Sequence, residues 1–419
     1  MTAADLPGPL HGLRVLELCD EKGQFCGKLM ADLGADVIKV EPLGGQSTRT
    51  VGPFLDDVPH RERSLAFWHY NTSKRGITLN PEHNGGQDLF RRLVPRADIV
   101  LESYAPGYLP GLGLGYEALS ALNPGLIMCS LTPFGQTGPW RDFHTSDLLH
   151  LAAGGQMAGS GYDPDDVPDA PPIAPGGGNA WHMGGHYAYM AILAALYYRD
   201  MSGEGQYIDV SIHEACALTT ESHVTTYNYT GQVVRRHTGR AASPDDSDKA
   251  QMATRDGRWI TIIRPGFQLT PARLRRMAED MDSHGMAEDL LHEKYQDTQV
   301  IQENLEHIGQ VLSNFIAQLP QDEAWQWGQK LGVPWGSVRS LDEIVGDEHL
   351  QARGFFTDVE HPELGRSFTY PGPAAIYNAS PWRIVRRAPL IGEHNPEIFC
   401  DELGLSKGEL VALRETGVV

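Results

Sequence analysis

Short apolar runs alternate with stretches of helical spacing from the start of the chain, and this alternation leaves few architectures open. Leu13, Val15, Leu16 and Leu18 predict a strand. Phe25 to Leu33 has helical spacing and stops at Gly34, a usual residue just past a helix end. Val37, Ile38 and Val40 predict a second strand before the turn at Pro42 to Gly45. Gly76 to Leu79, Ile99 to Glu102 and Leu126 to Leu131 read as further strands, with a helix over Gly86 to Leu93. Strands separated by helices cannot close as hairpins, so they imply a parallel sheet flanked by helices.

A loop rich in Pro, Asp and Gly, Gly159 to Gly178, leads into Gly185 to Tyr198, which is apolar on nearly every side. Such a helix belongs inside a large core. Val210 to Ala217 resumes the pattern. From about Gln232 the composition changes, becoming Arg-rich and then polar over Ser243 to Asp248. A strand at Trp259 to Ile263 and helices over Asn304 to Gln318 and Glu323 to Gly332 follow. After Leu331 come turns and short strands, then a helix near Lys407 to Thr416. With 419 residues the chain suits two domains. The expected division is 1–225 for the first part of a large domain, 226–331 for a small domain, and 332–419 completing the large one.

The net charge of −20 argues against a nucleic-acid binder, which needs clustered cations, while leaving room for a local basic pocket. No apolar run approaches the roughly 20 residues that cross a bilayer. Met1 to Leu10 lacks the order of a signal peptide. Cys19, Cys26, Cys129, Cys216 and Cys400 form no CxxC pair and are expected as free thiols in a cytoplasmic protein.

Several motifs have plain readings. Gly111 to Gly115 is glycine-rich but does not follow a strand directly, so a packing turn is expected. His182 and His186 have zinc-helix spacing without the glutamate of HExxH. Asp163, Asp165, Asp166 and Asp169 are interrupted by proline and lack a distal glutamate, as in a solvated acidic turn rather than a calcium loop. The turn from Asp20 to Gln24 opens the first helix with Lys22 in it, an arrangement that favours anions.

Longer strings carry a resemblance. Leu33-Gly-Ala-Asp-Val-Ile-Lys-Val-Glu-Pro42 with Arg49, Asn71-Thr-Ser-Lys-Arg75, Glu102-Ser-Tyr-Ala-Pro-Gly107 and Phe134-Gly-Gln-Thr-Gly-Pro139 occur in order. Ala191-Ile-Leu-Ala-Ala-Leu196, Gly332-Val-Pro334, His361-Pro-Glu-Leu-Gly365 and Gly392-Glu-His394 follow. Together they resemble the family III CoA-transferases, the group of formyl-CoA and carnitine CoA-transferases and α-methylacyl-CoA racemase. The resemblance implies an α/β fold: a large domain with a Rossmann-like parallel sheet built from both chain ends, plus a smaller inserted α+β domain. It also implies an interlocked dimer, and CoA or acyl-CoA as substrate with no metal. In that chemistry an aspartate attacks the thioester, forms a mixed anhydride, and is recaptured as an aspartyl thioester.

Aligned back from Ala191 to Leu196, that aspartate falls on Trp181, and no acid lies between Asp169 and Asp200. No catalytic residue carries over; His182, adjacent to Trp181, and Asp147 are the remaining candidates. The racemase pair is also absent, since Ser146 precedes Asp147 and His144 is two positions off. Lys22, Gly23, Leu79, Ser103 and Tyr104 remain compatible with CoA binding. Expected basic positions fall on Pro42, Glu82 and Gly111. Trp140, Phe143, Trp181 and Tyr187 would suit a bulky or aromatic acceptor acid, or ordinary core packing.

Three readings follow. The first is a non-nucleophilic subunit of a heteromer, paired with a homologous aspartate-bearing subunit as heterodimer or heterotetramer, as in the branch that includes benzylsuccinate CoA-transferase. The second is a homodimeric acyl-CoA lyase, isomerase or dehydratase using Asp147, His182 or His186 as acid or base. The third is a non-enzymatic acyl-CoA-binding protein. In each, the small-molecule partners are a carboxylic acid, an acyl-CoA or both.

Overall fold

The computed structural model describes residues 6–220, 223–245, 249–262 and 269–419. Ile263, the expected end of one strand, and Asp248, the end of the polar stretch, lie outside the described residues, as do Met1 to Asp5. Two compact units emerge. One comprises Met1–Gly154, Gly176–Thr219 and Glu348–Val419; the other comprises Gly155–Pro175 and Thr220–Asp347. The smaller unit is therefore wider than 226–331 at both ends and takes in the Pro- and Asp-rich loop.

The larger unit holds six parallel strands in the order β3-β2-β1-β4-β5-β6. They are β1 (Arg14–Leu18), β2 (Asp36–Glu41), β3 (Arg75–Thr78), β4 (Ile99–Glu102), β5 (Ile127–Thr132) and β6 (Tyr207–Ser211). Between them run α1 (Gln24–Asp32), α2 (Leu65–Tyr70), α3 (Asn84–Leu93), α4 (Tyr108–Gly111), α5 (Tyr116–Ser120), α6 (Asp147–Ala153) and α7 (Asn179–Ser202). After β6 comes α8 (Ile212–Leu218). The first five strands are buried almost throughout, which is why each reads as an apolar run. Gly34 closes the first helix at φ +100.

The expectation that both chain ends build the sheet is corrected. All six strands come from residues 14–211, and both ends build the unit instead. The C-terminal segment forms its own antiparallel hairpin, Phe356–His361 with Arg366–Pro371. It then returns to the sheet through side chains and turns. Ile398, Phe399, Leu410 and Val418 enter the same core as Leu16, Ile77 and Phe90. Thr78 N–H donates to Asn395 Oδ1 at 2.9 Å, and Asn80 N–H to the Val418 carbonyl at 2.8 Å. Arg49 adds another tie, its Nη2 donating to the Pro389 carbonyl at 2.8 Å.

The smaller unit carries a three-stranded antiparallel sheet of Gln251–Ala253, Trp259–Thr261 and Gly336–Ser337. Helices Pro271–Asp282, Leu305–Ile316 and Gln321–Lys330 supply its core, with Met277, Val311, Phe315 and Trp335 packed around Ile260. His237 Nδ1 meets Asp163 Oδ2 at 2.8 Å, so the first of the four acidic-turn residues is spent on an internal contact.

Charges lie inside the larger unit. Glu17, Lys39 and Lys74 are each fully inaccessible, with Lys39 Nζ 2.8 Å and Lys74 Nζ 2.6 Å from the two oxygens of Glu17. Burial pulls the Lys39 ammonium down, but Glu17 and Glu41 together outweigh it and hold it above its ordinary value. For Lys74 burial wins and brings it down to about 8. Glu17→Gln leaves two buried ammoniums without a full counter-charge. We expect it to lose about 3–5 kcal/mol of stability in urea unfolding; a loss below about 1 kcal/mol would show that the pair is dispensable.

Candidate active site

In a sheet of this order the crossover direction reverses between β1 and β4, and ligands bind beyond the carboxyl ends of the strands there. A cleft of about 560 Å³ opens at that position. Glu21 and Lys22 line it from the turn after β1, Ser103 to Pro106 from the turn after β4, and Pro133 from the end of β5. The loop Arg141 to Asp147 and Trp181 on α7 complete the wall. A larger cavity, about 920 Å³, lies at the opposite edge of the strands among Arg14, Asp36, Arg75 and Asp98. Arg14 and Arg75 there lie 2.8 and 2.6 Å from Asp36, and the cavity sits at the amino ends of the strands, away from the reversal point. Chemistry favours the first cleft.

The floor of that cleft is tightly hydrogen-bonded. Ser103 Oγ donates to Asp20 Oδ1 at 2.9 Å, and Asp20 N–H returns a bond to Ser103 Oγ at 3.1 Å. Lys22 Nζ is held by the Asp20 carboxylate. Glu102, the last residue of β4, is buried and accepts from Tyr104 N–H at 2.7 Å. Burial pushes its carboxyl up to about 7, against the pull of hydrogen bonds from Ser130 and Tyr104 and the charge of Lys22.

The outer wall depends on two helix starts. The N-cap of α7, Gly178, has no side chain to offer, and Asp147 supplies the missing acceptor by taking a 2.7 Å bond from Ala180 N–H. This sets Trp181 against the cleft. Gly184 lets α7 approach α8, since a Cβ there would lie 2.7 Å from Ile212 Cγ1. Behind Trp181 sits His150, fully buried on α6, its ring centroid 5.6 Å from the indole. His150 Nε2 lies 2.5 Å from Thr145 Oγ1, and burial, with His213 and Lys22, lowers its pKa to about 4. The imidazole is neutral at pH 7. Gln136 N–H, hydrogen-bonded to Asp209 at 2.9 Å, anchors the Phe134 to Pro139 turn above it.

The CoA-transferase family III model matches residues 10–395. The chain belongs to CoA-transferase family III. It is 34% identical over 423 residues, and over the whole of both chains, to succinyl-CoA–D-citramalate CoA-transferase of Chloroflexus aurantiacus. It is 32% identical over 412 residues, 97% of each chain, to the BbsE subunit of succinyl-CoA:(R)-benzylsuccinate CoA-transferase of Thauera aromatica. A solved CAIB/BAIF family protein from Brucella suis superposes with a TM-score of 0.79 at 29% identity, covering 94% of this chain and 99% of that one. The protein is thus a CoA-transferase with acyl-CoA as substrate class.

Within this family III chain the expected residues separate. Lys22, Ser103, Tyr104, Asp147 and Trp181 come together in the cleft. Gly23 stands behind it against Cys19, and Leu79 is buried in the apolar core rather than exposed to a ligand. His182 turns away to stack on Phe25 at 4.3 Å, with Nε2 2.8 Å from Tyr70 Oη. His186 Nδ1 bonds the His182 carbonyl, and among the described residues no three ligating groups gather for a metal. Glu82 accepts from Tyr108 Oη at 3.3 Å, and Pro42 and Gly111 lie in turn and short-helix positions outside the cleft. Phe143 lines the cleft and stacks on Trp140, whereas Tyr187 does not reach it.

Sequence reasoning missed Arg141, Thr145, His150 and Glu102. Glu102 had a signal, an acid ending the strand beside the reversal point. His150 had none, since its environment comes from separate elements. The unfolded Glu102 carboxyl titrates near 4.5 and the folded one near 7, so between those values the folded state holds the extra proton. This contribution is complete below pH 4.5 and is lost as pH rises to 7, a fall of about 3 kcal/mol at most. Glu102→Gln should flatten that part of the stability–pH curve in thermal or urea unfolding; an unchanged slope would assign it elsewhere.

Proposed function

We propose that this chain is the non-nucleophilic subunit of a family III CoA-transferase, with the attacking aspartate on a homologous partner interlocked with it. The observation that carries the reading is Trp181, an indole at the wall of the ligand cleft where the family resemblance expects the carboxylate. The electrostatics agree. Lys22 and Arg141 are the Lys and Arg residues of the lining; Lys22 is held by Asp20, and Arg141 meets Asp142 through Nε alone, which leaves one guanidinium edge as the free base of the cleft. Glu21, Asp142 and Asp147 line the same space. Three phosphates of CoA would meet more acid than free base, so the acyl-CoA is bound mainly by the partner.

In this reading the partner's aspartate oxygen attacks the thioester carbon of a donor such as succinyl-CoA, and the C–S bond breaks to release CoA thiolate. The thiolate then attacks the aspartyl carbonyl of the mixed anhydride, frees the donor carboxylate, and leaves an aspartyl thioester. The acceptor carboxylate takes the acyl position by the reverse steps. The BbsE relative carries a subunit name, as do relatives called alpha and beta subunits of succinyl-CoA–L-malate CoA-transferase. A second reading, a homodimer that acts alone, draws on Asp147, which lines the same cleft. The citramalate relative carries no subunit name.

The discriminating experiment is to purify the chain alone and with aspartate-bearing homologues encoded beside it, then assay transfer from succinyl-CoA to a panel of acids. Transfer is expected only in the mixed assembly. Hydroxylamine trapping and peptide mass analysis should place the adduct on the partner. Sustained transfer by the isolated chain would overturn the assignment and point to Asp147, which Asp147→Asn would then silence.

A further inference from the structure

Phe143 lines the cleft with 57% of its surface exposed, and Trp140, 45% exposed, stands beside it just outside the lining. Their rings stack, centroids 6.1 Å apart and 18° from parallel. Exposed aromatic pairs at the mouth of a pocket are unusual unless something covers them. This pair is also held firmly. Phe134 meets Trp140 edge-on at 5.9 Å and Phe143 at 6.2 Å, and His213 meets Trp140 at 5.4 Å. The platform is therefore set before any ligand arrives, and little ordering is needed on binding.

Arg141 lies between the two rings in sequence and lines the cleft. Its guanidinium uses Nε on Asp142 Oδ1 at 3.1 Å, and both side chains are largely exposed, so that pair is weak. Its Nη groups have no partner among the described residues. One guanidinium suits one carboxylate, though not the several phosphates of a nucleotide. The neutral body of an aryl acid is indifferent to the acids nearby and gains from the ring faces.

Resting on the subunit reading above, we propose that this chain contributes the acceptor subsite, and that the acceptor is an aryl-bearing carboxylic acid. Its ring packs on the Trp140–Phe143 platform and its carboxylate is read by Arg141. The chain thus supplies substrate choice where its partner supplies the nucleophile.

The test is direct binding to the full chain, alone and in the mixed assembly, by calorimetry and tryptophan fluorescence. The probes are 3-phenylpropionate and 3-cyclohexylpropionate, which share charge and length. The phenyl probe should bind about fivefold to tenfold more tightly. Trp140→Leu and Phe143→Leu should each erase most of that preference, and Arg141→Gln should weaken both probes about equally, by roughly tenfold. Equal binding of the two probes would overturn the proposal, as would a preference that survives both leucine variants. Displacement of the phenyl probe by AMP would make the platform an adenine site and would also overturn it. Binding is read without turnover. Aryl preference can therefore fail while the subunit reading stands, and transfer by the isolated chain can sink that reading while the binding result stands.

Discussion

Everything in the larger unit is arranged around one buried carboxylate. Glu17 is the penultimate residue of β1 and is shared by Lys39 of β2 and Lys74 just ahead of β3. Room for it exists only because α1 carries glycine at position 27, where a Cβ would fall 1.7 Å from Glu17 Oε2. A carboxylate this deep is costly to desolvate, and two ammoniums within 2.8 Å offset that cost. In return the arrangement specifies order. It ties β1, β2, β3 and α1 together in the observed register, and that register places Asp20 and Lys22 at the crevice.

The same device, repeated elsewhere in the unit, attaches the end of the chain. Arg49 holds Glu41 through two bonds of 2.7 and 2.8 Å while its guanidinium lies 3.8 Å from the Phe67 ring centroid. Arg75 joins Asp36 at 2.6 Å to Glu397 at 2.7 Å, across more than 300 residues of chain. Residues 348–419 therefore need no strand in the sheet, because arginine forks and apolar packing replace ladder bonds. This also clarifies the acidity of the protein. Many cations of the N-terminal half are turned inward or paired, so the strongly negative total coexists with a cleft that has little free base to give.

How much of this was legible follows from the physics of each contact. Buried parallel strands must be apolar along their length, so β1 to β5 could be read from sequence; the expectation that α7 is buried on nearly every side is corrected, since Ala188, Ile192 and Ala195 are buried on one face while Met190, Tyr197 and Tyr198 stay exposed. Gly34 was readable because its left-handed conformation has a residue preference. The Glu17 network was not readable, since single charges within apolar runs look like strand ends or errors until their partners are known. In the cleft, Lys22, Ser103 and Tyr104 follow from strand ends and could be found. His182 misled because adjacency in sequence is about 100° of rotation on a helix, enough to send its ring to Tyr70 while Trp181 faces the cleft. His150 depends on α6, α7 and the turn after β5 at once, which no single window of sequence contains.

Asp147 explains why a tryptophan can stand at 181 without harm to the fold. A helix of 24 residues that begins on glycine leaves first-turn amides in need of an acceptor. An aspartate within that first turn would also have favoured the positive end of the helix. Here the acceptor arrives from α6 and reaches Ala180, one residue before Trp181. With that amide satisfied from outside, position 181 is released from any part in starting the helix. A second carboxylate there would sit close to the first, and each would raise the cost of charging the other. An indole avoids that repulsion, packs its edge against the neutral ring of His150, and shapes the wall of the cleft. The fold therefore places no demand for a carboxylate at 181; any such demand comes from the chemistry, and a partner chain can meet it.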